Sequence, residues 1–142
     1  MTAAVFAAVF AAYVTGHQVA DFWTQTGRQA TCKHLPGWAG RRPCAAHVAV
    51  YTMVLAAFLA VTAWALALPV SPWRAAAGLA VSAASHYFAD RRRPLELLAR
   101  LIGKGEFWDL GDGLASGATA MDQAFHWAFV FAAALVTAGG AS

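Results

Sequence analysis

Residues 45–68 read AAHVAVYTMVLAAFLAVTAWALAL and form the longest apolar run in this chain. A helix needs about 20 predominantly apolar residues to cross the hydrocarbon core of a bilayer, so this run is long enough to span one. Outward from it, further apolar runs cover about residues 2–25, 73–90 and 121–138. The pattern predicts four crossing helices, which with their connections use residues 1–142 as a single integral membrane domain.

The composition of the chain also indicates a membrane protein. Hydrophobic residues make up 60% of the chain and charged residues only 12%, whereas soluble domains average about 45–50% and about 25%. Pro69 and Pro72 follow the longest run and predict a tight connection between the second and third helices. We therefore expect an all-α fold, a four-helix antiparallel transmembrane bundle.

The two longer connections have different signatures. Residues 26–44 are punctuated by glycine and proline, which predicts a loop that ends before the second helix. After Pro94, leucines recur at helical spacing up to Gly103, which predicts a short amphipathic helix between helices 3 and 4. This helix either lies in the headgroup region or packs on the bundle. The glycine-rich stretch 103–117 lacks the EF-hand pattern and is expected to be a flexible, solvated loop.

The basic residues are distributed unevenly along the chain. Nine of the ten lie within residues 26–44 and 91–120. Loops enriched in Lys and Arg stay in the cytoplasm, so we expect both connections to be cytoplasmic and both termini extracytoplasmic, in a cell membrane. Membrane lipids are the expected partners, with Arg91, Arg92 and Arg93 contacting anionic headgroups. No nucleic-acid-binding motif accompanies these loops, so no nucleic acid is expected, and oligomerisation is left open.

Seven ionisable residues fall near the predicted cytoplasmic helix ends. Residues four apart share one face of a helix, so the pairs among them each present an imidazole and a carboxylate in one direction. Ionisable groups inside a bilayer are costly and are functional candidates by default. Nitrogen and oxygen donors in this mixture suit zinc, iron or manganese. We predict a site for one or two divalent transition metal ions, with zinc as the first choice, among His17, Asp21, His47, His86, Asp90, Asp122 and His126.

Several interpretations of this cluster stay open from the sequence. Because a catalytic zinc takes about three protein ligands, either two ions bind or some aspartates hold the imidazoles in place. The pairs can also form a structural polar network between helices or an ion relay. A different zinc site, built from Cys32, His34, Cys44 and His47, is a further alternative. Otherwise the two cysteines are expected to be reduced thiols.

The ordered motifs resemble those of a family of small bacterial and phage membrane proteins of unknown function. The stretch from His17 to Gln25 is similar to the family's H-x-x-x-D-F-x-x-Q opening. The resemblance spans nearly the whole chain and implies a polytopic membrane protein with a polar motif on each helix, but no activity. The run of three arginines after Asp90 departs from the single basic residue expected there. The later matching elements are His47, His86-x-x-x-Asp90 and Asp122-Gln123-x-x-His126.

The function that we expect is metal-dependent hydrolysis of a lipid or amphiphile at the cytoplasmic leaflet. His86 precedes Arg91 by five residues, about 7 Å along a helix axis, so the site would lie just below the headgroups. Metal-bound water has a pKa of about 7, and Asp90 or Asp21 would transfer the proton as the catalytic carboxylate. The alternative is a non-enzymatic membrane protein that recruits a partner or lipid through its basic loops, with a structural or ion-relay cluster.

Overall fold

The computed structural model describes residues 2–139, and within that range the chain is helical and contains no strand. A π-helical turn, Ala20–Thr24, extends the first helix, and a 3₁₀ turn, Gly113–Ala115, precedes the last. The predicted all-α fold is confirmed. The sequence predicts the side of the membrane on which the two chain ends lie. These ends include residues 1 and 140–142, which are outside the described residues. The helices are α1 (Ala3–Val19), α2 (Gly27–Cys32), α3 (Gly37–Ala65), α4 (Pro72–Asp90), α5 (Arg93–Leu101), α6 (Gly105–Trp108) and α7 (Gly117–Ala138).

The four long helices, α1, α3, α4 and α7, pack around one another as a bundle. α1 lies against α3 and α7, and α4 lies against the same two helices, with its most extensive contact on α7. Residues from the C-terminal ends of α1 and α4 meet residues from the N-terminal halves of α3 and α7. Neighbouring helices are therefore antiparallel, as the sequence predicts.

The start of α3 differs from the prediction. α3 begins at Gly37 and continues through Pro43, and α2 lies within the segment predicted to be a loop. The expectation that glycine and proline exclude a helix here is wrong. A Cβ atom on Gly40 would overlap the carbonyl group of Leu35, so this glycine permits a close contact rather than ending a helix. Pro43 removes one intrahelical hydrogen bond, and the rest of the helix is retained.

The glycine-rich segment 103–117 is also more ordered than predicted. α6 brings Trp108 to 6% exposure in a small apolar cluster with Ala89 and Ala118. Gly117 begins α7 directly against the backbone of Phe107, where a Cβ atom would overlap the carbonyl oxygen. The prediction of a solvated loop is wrong for this part of the segment, because the indole supplies an apolar anchor to the bundle.

Small and polar side chains face inward from α4. Its buried residues include Gly78, Ser82, His86 and Asp90, which are spaced by four. Large apolar side chains face outward elsewhere, and Trp64 at the end of α3 is 84% exposed. A helix of a soluble protein places its apolar stripe toward the core, whereas the buried face of α4 is small and polar.

Two helical segments in the described part of the chain meet the length and composition of a membrane span. They are Ala3–Thr24 and Gly37–Ala65. The core helix of a soluble protein passes the same test, so two such segments are weak support for a membrane location. The structure shows four packed long helices and two candidate spans. That all four helices cross a bilayer is a proposal.

The contact between α4 and α7 depends on the absence of a side chain at Gly78. A Cβ atom there would overlap the hydroxyl of Thr137 and lie 2.7 Å from the carbonyl oxygen of Ala133. We expect Gly78→Ala to destabilise the protein by about 1–3 kcal/mol through overpacking. Thermal unfolding in detergent measures this, with Gly27→Ala as control, because a Cβ at Gly27 meets nothing within 4 Å. Equal unfolding temperatures for the two variants would contradict the close contact.

Candidate metal centre

Four imidazoles and two carboxylates meet at one end of the bundle, contributed by the four long helices and the π-helical turn. The four imidazoles are no more than 3% exposed, and the two carboxylates are 10% and 3% exposed at their side chains. The structure thus brings together six of the seven residues predicted for the site. They are His17 from α1, Asp21 from the π-helical turn, His47 from α3, His86 and Asp90 from α4, and His126 from α7.

Three ligating atoms form the tightest part of this cluster. The Nε2 atoms of His47 and His86 lie 3.0 Å apart. The Oδ1 atom of Asp21 lies 3.2 Å from the first nitrogen and 3.3 Å from the second. If one proton lies between the two nitrogens, it forms a hydrogen bond across only one of these three contacts. A cation placed between the three atoms would satisfy all of them together.

Asp90 supplies a fourth atom to the same group. Its Oδ2 atom lies 3.5 Å from Nε2 of His47 and 3.4 Å from Nε2 of His86. Ligand atoms around a tetrahedral ion with bonds of about 2.0–2.2 Å are about 3.3–3.6 Å apart. The five distances measured among the four atoms fall between 3.0 and 3.5 Å, close to the separation of two ligands on one such ion. The metal-suitable groups formed here take one carboxylate each, and Asp90 belongs to the group with His47 and His86.

Several buried polar atoms in this cluster have no hydrogen-bond partner among the described residues. Buried polar atoms in proteins are nearly always paired, and an exception calls for a water, an ion or a functional role. Here the exceptions are concentrated in one place, which favours a bound ligand. Those within the cluster are Nδ1 and Nε2 of His17, Nδ1 of His47, Nδ1 of His86, Oδ2 of Asp90 and Nε2 of His126.

The charge balance of the cluster also favours a cation. An unpaired buried carboxylate is costly, with an effective penalty of several kcal/mol. Asp21 and Asp90 together carry two negative charges when ionised. Lys33, 2.6 Å from Oδ1 of Asp90, balances one of them, and a further cation would balance the other. The structure therefore offers matching geometry, unpaired nitrogen atoms and compensating charge for one transition metal ion.

His17 and His126 lie beside these four atoms. Nε2 of His17 is 3.6 Å from Oδ2 of Asp21, and His17 forms a second metal-suitable group with Asp21 and His86. The rings of His86 and His126 have centroids 4.4 Å apart. Nδ1 of His126 donates to the carbonyl oxygen of Asp122 at 2.8 Å, so in the neutral ring Nε2 carries the lone pair.

Asp122 is the predicted site residue that lies farthest toward the surface. Its side chain is 30% exposed, and Oδ2 lies 3.5 Å from Nδ1 of His126. Within the described residues, it belongs to neither metal-suitable group. The spacing of Asp122 and His126 predicts a shared helix face, which the structure bears out, but this carboxylate adjoins the cluster at one imidazole only.

The π-helical turn at the end of α1 positions Asp21. A π-helical turn widens the helix by one residue and is frequent at functional sites. Here the carboxylate contacts His47 and His86 on two other helices through Oδ1, while Oδ2 stays near His17. Sequence spacing predicts only the His17 contact, because the wider turn has no recognisable sequence signature.

Two basic residues contribute to the site in a way that the sequence analysis missed. The ammonium group of Lys33 donates to Oδ1 of Asp90 at 2.6 Å. The guanidinium group of Arg91 donates to the carbonyl oxygens of Lys33 and Leu35, at 2.5 and 2.6 Å. Arg91 thus holds the connection between α2 and α3 over Asp90. No spacing rule links Lys33 to a carboxylate on another helix, so only the fold reveals this pairing.

Aromatic packing holds the central imidazole in place. The ring of Tyr51 stacks on that of His86 with centroids 3.8 Å apart and an interplanar angle of 24°. The Tyr51 hydroxyl and that of Ser82 are hydrogen-bonded at 2.7 Å. Both residues lie one helical turn from a histidine of the cluster, so they restrict the rotation of His86 independently of any bound ion.

The alternative zinc site built from the two cysteines is not formed. Cys44 is buried, and its Sγ atom lies 3.9 Å from the carbonyl oxygen of Tyr87. Neither cysteine belongs to a metal-suitable group among residues 2–139. The two are free thiols, and His47 is directed to the His/Asp cluster instead.

Comparison with known proteins adds no assignment. No protein-family model, curated protein or solved structure matches this chain. The assignment of a function therefore depends on the geometry of the cluster.

A central histidine should be needed for metal binding. We expect His86→Gln to lower the metal retained by the purified protein at least about tenfold, since it removes a shared ligand. Elemental analysis after dialysis against trace zinc measures this. His34→Gln is the matched control, because His34 lies outside both metal-suitable groups. Equal metal content in the two variants would contradict the metal centre.

Proposed function

We propose that this chain is a multi-pass membrane protein with a zinc-dependent hydrolase site for a lipid or amphiphile at the cytoplasmic leaflet. The observation that carries the proposal is the close approach of His47 and His86 to each other and to the carboxylates of Asp21 and Asp90. We also propose that the chain is related to the small bacterial and phage membrane proteins whose motifs it resembles.

The surface of the bundle supports a membrane location. Met53 and Val61 on the outer face of α3 are 63% and 62% exposed, which is unfavourable in water but favourable in lipid. Trp23 and Trp73 are more than 80% exposed near helix ends, where interfacial tryptophans are enriched. All of the predicted cytoplasmic basic residues are in the segments at the end that holds the His/Asp cluster. We propose that all four long helices cross the bilayer and that this end is cytoplasmic.

The short helix α5 would lie at the membrane surface. It buries Leu95 and Ala99 against the bundle and leaves Leu97 and Leu101 58% and 83% exposed. Its other faces carry charge, including the ion pair between Arg100 and Glu96. Such a helix is amphipathic in the sense of interfacial helices. The two interpretations of this helix are therefore compatible, since one apolar face packs on the bundle while other apolar residues remain free to contact lipid.

The arrangement of the ligands suits hydrolysis. Catalytic zinc keeps three protein ligands and one open position. We propose that His47, His86 and Asp21 hold the ion, because they make the shorter contacts with one another. A bound ion would supply an activated water. Asp90, which also lines a cavity, would accept the proton from that water while Lys33 keeps the carboxylate in place.

A structural centre is the second candidate, and one observation favours it. Both carboxylates lie within 3.5 Å of the imidazoles of His47 and His86, and closed four-ligand sites are typical of structural zinc. In that case Asp90 is a fourth ligand and has no role in proton transfer. The two candidates differ in what happens to metal content when Asp90 is changed.

The orientation of the bundle can be tested by cysteine labelling in membranes. In a Cys32→Ser background, with buried Cys44 retained, we expect Leu114→Cys to react only from the cytoplasmic side. Ser71→Cys, in the connection between α3 and α4, should react only from the outside. Leu114 is 87% exposed and Ser71 is exposed as well. Labelling of both positions from the same side would overturn the four-crossing topology.

Asp90→Asn tests the hydrolase against the structural centre. The amide cannot accept the proton, so we expect turnover to fall about 10²–10⁴-fold, while metal content stays near that of the wild type. The assay is a panel of acyl esters and phosphoesters, chromogenic and lipid, with metal-loaded protein. Asp112→Asn is the control, since Asp112 is an exposed carboxylate outside the cluster. Loss of metal and stability in Asp90→Asn, with no turnover by the wild type, would establish the structural centre instead.

A further inference from the structure

A cavity of about 150 Å³ lies next to the His/Asp cluster, and Asp90 is part of its wall. Lys33 from the connection after α2, Arg92 from the turn after α4, and Asp122 from α7 also line it. Since one water needs only about 10–15 Å³ of such space, the cavity has room for a group of several non-hydrogen atoms. A phosphate group fits this space. We propose that the cavity binds the phosphate group of the substrate, which is therefore a phosphoester.

Lys33 supplies the first cation. Its ammonium group has three donors, and the contact with Oδ1 of Asp90 engages one of them. The side chain is 17% exposed, so it is largely withdrawn from solvent and its charge is weakly screened. Arg91 fixes the backbone of Lys33 by donating to its carbonyl oxygen. The ammonium group is thus held at the cavity by two independent contacts.

Arg92 supplies the second cation, and its backbone conformation is unusual. Its φ angle is +58°, a strained region that residues with a side chain rarely adopt. Such strain is concentrated at ligand sites. In the described part of the chain, the guanidinium group of Arg92 has no carboxylate within salt-bridge distance, whereas Arg91 is bound to backbone carbonyls. Arg92 lines the cavity with no charged partner of its own.

The net charge around the cavity favours a phosphate over a neutral ester. A divalent ion would balance Asp21 and Asp90, which leaves Lys33 and Arg92 as two positive charges against one negative charge on Asp122. Arg and Lys beside a metal ion are the usual groups that neutralise a phosphoryl group and stabilise its transition state. The carbonyl of a carboxylic ester would not need two cations. The inference rests on the proposed function for the reaction, but binding of phosphate can be tested without it.

The test is binding of inorganic phosphate to the purified full-length chain in a maltoside detergent, measured by titration calorimetry. We expect Arg92→Gln and Lys33→Met each to weaken binding about tenfold, as for loss of a charge-assisted hydrogen bond. Arg92→Lys should restore most of the affinity, because the charge is kept. Arg93→Gln is the matched control, since Arg93 is the next residue and does not line the cavity.

Two further arms separate the metal from the cavity and distinguish the sources of phosphate. Binding that depends on Lys33 and Arg92 in chelator-treated protein would support this inference even if the metal centre fails. Competition by glycerol 3-phosphate alone would support a soluble phosphate ester, and competition by phosphatidic acid vesicles as well would support a lipid. Unfolding temperatures near that of the wild type establish that each variant is folded.

The inference would be overturned by any of three results. The first is that metal-loaded wild-type protein does not bind phosphate. The second is that Arg92→Gln and Lys33→Met bind phosphate as tightly as the wild type does. The third is that acetate competes as strongly as phosphate. The first result leaves the metal centre standing and removes only the assignment of the substrate.

Discussion

The buried carboxylates of Asp21 and Asp90 carry negative charges that must be compensated, and this requirement organises the end of the bundle that holds them. Both carboxylates lie within one cluster of imidazoles. An unpaired buried carboxylate would cost several kcal/mol. His47 and His86 contact both carboxylates, and Lys33 contacts one of them. These partners come from different helices and one connection, so the charge can be compensated only when the bundle is assembled. A divalent ion would complete the compensation, which links metal binding to folding.

The segments outside the bundle serve this end of the molecule. Arg91 binds two backbone carbonyls of the connection after α2 and brings Lys33 over Asp90. Trp108 from α6 and the residues around it pack on α4 and α7, beside the cavity that Lys33 and Arg92 line. The basic connections therefore form a wall between the cluster and its surroundings.

The interior of the bundle is held by small residues and polar pairs rather than by large apolar ones alone. Gly78 allows α4 to approach Thr137 on α7, and Tyr13 is hydrogen-bonded to the same threonine at 2.9 Å. Between helices in lipid, close packing and such hydrogen bonds replace the hydrophobic effect as the source of stability. The same contacts fix the rotation of the helices, and hence the directions in which the imidazoles point.

Local patterns in the sequence were sufficient for the helical fold and for the candidate ligands. The apolar runs predict the four long helices, and the spacing of His17 with Asp21 and of His86 with Asp90 predicts shared faces, because helical periodicity is set by the backbone within a few residues. The start of α3 could not be predicted, since Gly40 marks a contact with Leu35 that is visible only after folding. The tertiary structure alone decided the rest: the π-helical turn that turns Asp21 toward two other helices, the position of His126 beside His86, and the pairing of Lys33 with Asp90. Each of these depends on how helices rotate and cross, and that is determined by contacts between residues far apart in the chain.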